Sequence, residues 1–144
     1  MQFFVPGIPV GQPRQRHGVA FAGGKAFARN YLPSKHPIHD FKAAVKIAAA
    51  SCGEPKIAEG EPVAISLVVL KPRPKGKTWK TKPMPREYSP GKPDFDNVAK
   101  AVCDALNGIA WHDDSQVCHA TVTKLIAAGD EPCGVYVTIE RMTA

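Results

Sequence analysis

Residues 92–108 read KPDFDNVAKAVCDALNG. Val98, Val102, Ala105, Leu106 and, just beyond, Ile109 recur at i, i+4, i+7, i+8 and i+11, the spacing of an amphipathic helix. Gly108 is well placed to end it. The same stretch begins with Asp94 and Asp96, followed by Asn97 and, four residues after Asp96, by Lys100. Neighbouring carboxylates repel and raise each other's pKa unless positive charge lies between them. The head of this helix therefore asks for a cation, for the partial positive charge of a helix N-terminus, or for both.

Working outward, PVAISLVVL at 62–70 is rich in β-branched residues and reads as a central strand. HPIHDFKAAVKIAAAS at 36–51 brings Ile38, Phe41, Ala44, Val45, Ala48 and, after it, Cys52 onto one helical face, with Pro37 near the start and Gly53 past the end. Lys42 and Lys46 fall on the opposite face. Near the N-terminus, FFVPGIPV reads as a short strand broken by prolines, GQPRQRHG as a basic turn carrying Arg14 and Arg16, and VAFAGGKAFA as a weak strand pair about Gly23 and Gly24. QVCHATVTKL at 116–125 and GVYVTIERM at 134–142 are two closing strands joined by AAGDEPC. This order predicts an α+β fold, a mixed β-sheet covered by two helices. A chain of 144 residues with 44% hydrophobic content fits one domain, residues 1–144.

The net charge of +6 is concentrated. Residues 71–93, KPRPKGKTWKTKPMPREYSPGKP, hold Lys71, Arg73, Lys75, Lys77, Lys80, Lys82, Arg86 and Lys92 against Glu87 alone, a net +7 that leaves −1 for the rest of the chain. Six of the fourteen prolines lie in the same segment, so it reads as an extended, solvated loop. Such a loop serves either solubility or phosphate binding, with Trp79 and Tyr88 available to stack on bases.

Cys52, Cys103, Cys118 and Cys133 are scattered and make no CxxC pair, and the five histidines make no HExxH or HxxxH pattern. A structural zinc site or a disulfide framework is not indicated. The opening MQFFVPGIPV lacks a basic n-region and long apolar run, and no stretch is apolar enough to span a bilayer. The chain reads as soluble, cytoplasmic and without a membrane segment.

In an extended backbone Asp94 and Asp96 would point the same way, about 6.7 Å apart. Beyond the helix, AWHDDSQV adds Asp113 and Asp114. The helix separates the two acidic groups by about 16 Å, and a doubling back of the return loop would bring them together. Hard carboxylate ligands suit Mg²⁺ or Mn²⁺, and paired ions of that kind drive phosphodiester hydrolysis. Lys100 would then face a phosphate oxygen. Singly, each residue has a plainer use: Asp96 or Asn97 as a helix cap, Lys100 paired with Asp96 or Asp104, Asp113 and Asp114 as turn residues. Four carboxylates, a lysine and a basic loop in one region favour a metal site acting on a phosphorylated polymer.

At these residues the chain resembles the RusA family of Holliday-junction resolvases, in KPDFDN, in the following helix with its Lys and DAL, and in the DDSQ segment. VPGIPVGQPRQR is similar to the family's proline-rich basic opening. The resemblance implies a homodimeric, Mg²⁺-dependent endodeoxyribonuclease, with Mn²⁺ as possible substitute. It would place paired nicks across four-way DNA junctions in recombination and repair. It implies Asp94, Asp96 and Asp114 as metal-binding catalytic aspartates, Lys100 as catalytic lysine, Asp113 as an auxiliary ligand and Asp104 as a residue orienting Lys100. The basic loop, through Lys71, Arg73, Lys75, Lys77, Lys80, Lys82 and Lys92, together with Arg14 and Arg16, would meet backbone phosphates. Proteins of this kind are bacterial or phage-encoded. Two other readings stay open: a metal-dependent phosphohydrolase of small phosphates or flaps, which has no need of a +7 loop, and a non-catalytic DNA-binding protein, indifferent to chelation.

Overall fold

The computed structural model describes residues 1–144. Strand β4 (Val63–Lys71) alternates buried and half-buried residues, so Val63, Ile65, Leu67 and Val69 form one fully covered face. It is the centre of a five-stranded sheet ordered β1 (Gln2–Pro6), β7 (Gly134–Arg141), β4, β6 (Val117–Ile126), β5 (Glu87–Tyr88). β4 runs antiparallel to β7 and parallel to β6, because the chain returns from β4 to β6 through a helix. The fold is α+β, with a mixed sheet and two helices.

Helices α1 (Ile38–Ser51) and α2 (Phe95–Leu106) share one apolar core with the covered sheet face. α1 contributes Ile38, Phe41, Val45 and Ala49; α2 contributes Val98, Ala101, Val102, Ala105 and Leu106. Trp111, fully buried, closes the core beyond α2. Ile109, expected on this face, is 36% exposed because Gly108 (φ 80°) ends the helix before it. Lys42, expected on the solvent face of α1, instead reaches Asp104 of α2 at 3.7 Å.

The 71–93 segment is more structured than its composition suggests. Arg73 donates from Nε to the Ala127 carbonyl oxygen (2.9 Å), from Nη1 to that of Lys77 (3.1 Å) and from Nη2 to that of Pro85, while lying 3.6 Å from Glu87. Lys77 pairs with Glu87 at 3.2 Å and Arg86 with Glu131. Glu87 and Tyr88 add the edge strand β5 to β6. Charge and proline content set the extended-loop expectation; the segment is a mostly exposed loop, pinned at a few carbonyls and acids.

The weak strand pair is present as β2 (Arg16–Ala22) and β3 (Lys25–Tyr31), a separate two-stranded sheet. Gly23 (φ 58°) and Gly24 (φ 77°) make a two-residue turn that needs positive φ at both positions.

Candidate active site and nucleic-acid interface

The run into α2 is tied to the sheet. Lys124 on β6 donates to the carbonyl oxygens of Gly91 and Pro93, the latter at 2.8 Å, and the Lys92–Pro93 peptide is cis. Asp94 follows in extended conformation (φ −67°, ψ 145°) as the residue capping α2, and its side chain makes no capping hydrogen bond. The capping position is thus Asp94 and not Asp96 or Asn97, and neither carboxylate is consumed in holding the helix. The backbone is already helical at Asp96, so the strand-like juxtaposition expected for the pair does not apply. Both side chains are exposed at the positive end of the helix.

Residues 11–15 lie along the first half of α2. The backbone N–H of Gln12 donates to the Asn97 carbonyl oxygen at 2.9 Å. Gly11 permits this approach, since a Cβ there would stand 3.1 Å from side-chain atoms of both Asn97 and Pro93. Two adjoining recesses result. One is lined by Gly11, Gln12, Lys92, Pro93, Asp94 and Asn97. The other, about 610 Å³ with no hydrophobic residue in its wall, runs past Gln12, Arg14, His17, Asn97, Lys100 and Asp104. Gln12 belongs to both, and its Oε1 is buried without a hydrogen-bond partner. Lys100 is exposed and makes no ion pair, and Asp104 is paired with Lys42 at 3.7 Å.

Asp113 and Asp114 sit elsewhere. They begin a 3₁₀ turn, Asp114–Gln116, after the end of α2. Asp113 accepts from the Ser115 N–H (2.8 Å), and the Ser115 side chain first, with this backbone bond second, holds its carboxyl below the usual range. Gln116 is buried; its Oε1 accepts from the N–H groups of His112 and Asp113, and its Nε2 donates to the carbonyl oxygens of Ala58 (2.8 Å) and Glu61 (3.0 Å). Asp114 Oδ1 accepts from the Trp111 indole N–H at 2.8 Å. Asp114 also helps raise the Cys103 thiol to about 11, behind the larger effect of burial and ahead of Asp104, so it stands beside the second half of α2. Cys103 follows Asp96 by two turns of helix, roughly 10 Å. Accordingly, no three acidic, histidine or cysteine residues gather into one metal-binding cluster.

Asp94, Lys92, Lys100 and Arg14 thus line one continuous cleft, and Asp96, Asp113 and Asp114 are not among its lining residues. Arg16 is exposed at the start of β2. Of the loop cations, Lys75, Lys80 and Lys82 are exposed and unpaired, Lys71 is half-buried, Lys77 is paired, and the side chain of Arg73, 5% exposed, is a structural clamp with no face left for phosphate. Gln12 and Asn97 escaped attention as site residues: only the tertiary docking of 11–15 on α2 reveals them. A small hard cation fits the oxygen donors here. Asp94 and the unpartnered Gln12 Oε1 line one recess, Asp96 is two residues on, and Mg²⁺ asks for only one or two protein carboxylates beside water and phosphate.

Residues 6–140 match the family described as endodeoxyribonuclease RusA. The chain is also similar to the uncharacterized protein YqaN of Bacillus subtilis (strain 168), 36% identical over 137 residues that cover 92% of this chain and 90% of that protein. No helix is long and apolar enough to cross a membrane. The match spans nearly every element from the end of β1 to the end of β7, and with it the chain belongs to the RusA family of endodeoxyribonucleases.

Proposed function

We propose that this endonuclease is a single-domain, divalent-metal-dependent resolvase that nicks four-way DNA junctions in pairs, as a homodimer, in recombination and repair. The observation that carries the reading is the head of α2. Asp94 and Asp96 are free of capping bonds there, and an unpaired Lys100 follows in a cleft shared with Arg14. Asp94 and Asp96 would hold Mg²⁺ or Mn²⁺, with Gln12 Oε1 within the same recess as Asp94. When bound, such an ion supplies charge neutralisation at the phosphate and a more acidic water. Lys100 orients a phosphate oxygen and offsets the charge that develops on it. Arg14, Arg16, Lys92 and the unpaired Lys75, Lys80 and Lys82 draw the backbone in, with Lys71 and Lys77 in weaker supporting positions. Asp114, the third aspartate of the proposed site, accepts from the Trp111 indole through Oδ1, which orients its carboxylate and leaves Oδ2 for an ion, with Asp113 as auxiliary ligand.

The test is cleavage of a synthetic mobile junction beside a linear duplex of the same sequence, with Mg²⁺ or chelator, by the native chain and by Asp96→Asn. Symmetric nicks on the junction alone, lost with chelator and in the variant, are expected. Binding without cleavage under Mg²⁺ or Mn²⁺ would return the chain to the class of DNA-binding modules, and full activity of Asp96→Asn would remove that aspartate from the site.

A further inference from the structure

The β2–β3 hairpin stands apart from the main sheet, and every residue of β3 is exposed. An isolated two-stranded ribbon is only marginally stable in water, so uncovered aromatic residues on it need an explanation. Side chains alternate between the two faces, and directly opposed residues share one. The register pairs Arg16 with Tyr31, Gly18 with Arg29, Ala20 with Phe27 and Ala22 with Lys25. One face therefore interleaves Arg16, Lys25 and Arg29 with Phe27 and Tyr31. Phe27 is 48% exposed and Tyr31 38%.

Three features mark this face as built. The Tyr31 ring lies on Gly18, where a Cβ would come within 3.1 Å of it. The Arg29 guanidinium stacks 5.4 Å from the centre of the same ring. Residues 13–36 contain Arg14, Arg16, Lys25, Arg29 and Lys35 and no acid, and none of the five makes an ion pair among the salt bridges of the structure. Cations alternating with aromatic rings match a polyanion whose bases are open to stacking. The ribbon is rooted in the cleft, since Arg14 and His17 line it together with Lys100. Seven residues per strand reach about 23 Å from that root.

We propose that the β2–β3 hairpin is a nucleic-acid-binding arm that grips the strands leaving the cleft, Arg16, Lys25 and Arg29 on phosphates and Phe27 and Tyr31 stacked on bases unpaired at the branch point. This assignment rests on the junction-resolving reading above and names the element that holds the branch. The opposite face, which begins at His17 in the cleft wall and beyond it carries Val19 (68% exposed) and Phe21 (77%) with no lysine or arginine, serves as an internal control.

The test uses the full chain and a synthetic four-way junction carrying 2-aminopurine at the crossover, with Ca²⁺ replacing Mg²⁺ during binding. The native chain raises 2-aminopurine fluorescence. Phe27→Ala with Tyr31→Ala weakens binding about tenfold for each ring and abolishes the rise. Arg16→Gln, Lys25→Gln and Arg29→Gln together lower the slope of log affinity against log salt by about 2 to 3. Val19→Ser with Phe21→Ser leaves both readouts at their native values. If the ring variant binds and unstacks the junction as the native chain does, and the charge variant keeps the native salt slope, the arm is overturned while the resolvase reading stands. Loss confined to the Val19 and Phe21 variant also overturns it, in favour of a protein contact on the other face. A native chain that neither binds nor cuts the junction overturns the resolvase reading itself. None of the substituted side chains belongs to the apolar core, so the main fold is kept, and the charge variant, which retains both rings, tests the arm without removing the ring packing of the hairpin.

Discussion

Replacing Arg73 by Gln separates two roles that its position in the basic loop confounds. As a clamp, Arg73 ties three backbone carbonyls and Glu87. The acceptors are unequal. Ala127 is 1% exposed, so its carbonyl loses its partner where water is scarce, a cost of about 1–3 kcal/mol. Lys77 and Pro85 are exposed and rehydrate, so each contributes roughly 0.5–1 kcal/mol. Glu87 retains Lys77, and its partly exposed pair with Arg73 adds at most about 1 kcal/mol. The sum is about 2–6 kcal/mol, which at a urea dependence of about 2 kcal/mol per molar moves the unfolding midpoint down by about 1–3 M. Urea unfolding measures this, and trypsin cutting within residues 75–82 should accelerate. Junction binding, extrapolated to conditions where the variant is folded, should keep the native salt slope. An unchanged midpoint with a slope reduced by about one would refute the reasoning and return Arg73 to the phosphate contacts.

Two further outcomes follow from the same geometry. Neutralising Lys75, Lys80 and Lys82 together should reduce the salt slope of DNA binding by about 2 to 3 with little change in unfolding midpoint, since none of the three is paired; an unchanged slope would make that part of the loop a solubility feature. Cys103, with its thiol raised to about 11 by burial and by the nearby carboxylates, stays protonated at neutral pH, so its alkylation should rise about tenfold per pH unit from 8 to 10 and lag that of exposed Cys118; labelling that levels off by pH 9 would show that Asp114 and the apolar surroundings are not where the structure has them.

Local pattern carried most of the fold. The 3.6-residue repeat located α1 and α2 to within a few residues, and the β-branched run located β4, because one face of each is buried and burial selects residue type at the period of the element. The paired glycines located the hairpin turn, since few other residues accept positive φ twice in succession. Composition misled where charge stood in for structure. In residues 71–93 the count of lysines and arginines was correct, but Arg73 spends its charge on carbonyls brought from both sides of the loop and from the β6–β7 connection. The sequence has no local sign of this, because the acceptors are backbone atoms common to every residue.

The candidate site divides in the same way. By itself the sequence determined the α+β class, the family, and the presence of Asp94, Asp96 and Lys100 on one helix head, because spacing along a helix is set by covalent geometry. Only the tertiary structure decided which groups stand together. It docked Gln12 onto Asn97, paired Asp104 with Lys42, and kept Asp114 on the Trp111 indole beyond the C-terminal end of α2. The first two are contacts between segments distant in the chain, which no spacing in the sequence encodes; the third joins residues three apart, and its place depends on the turn that the buried hydrogen bonds of Gln116 hold.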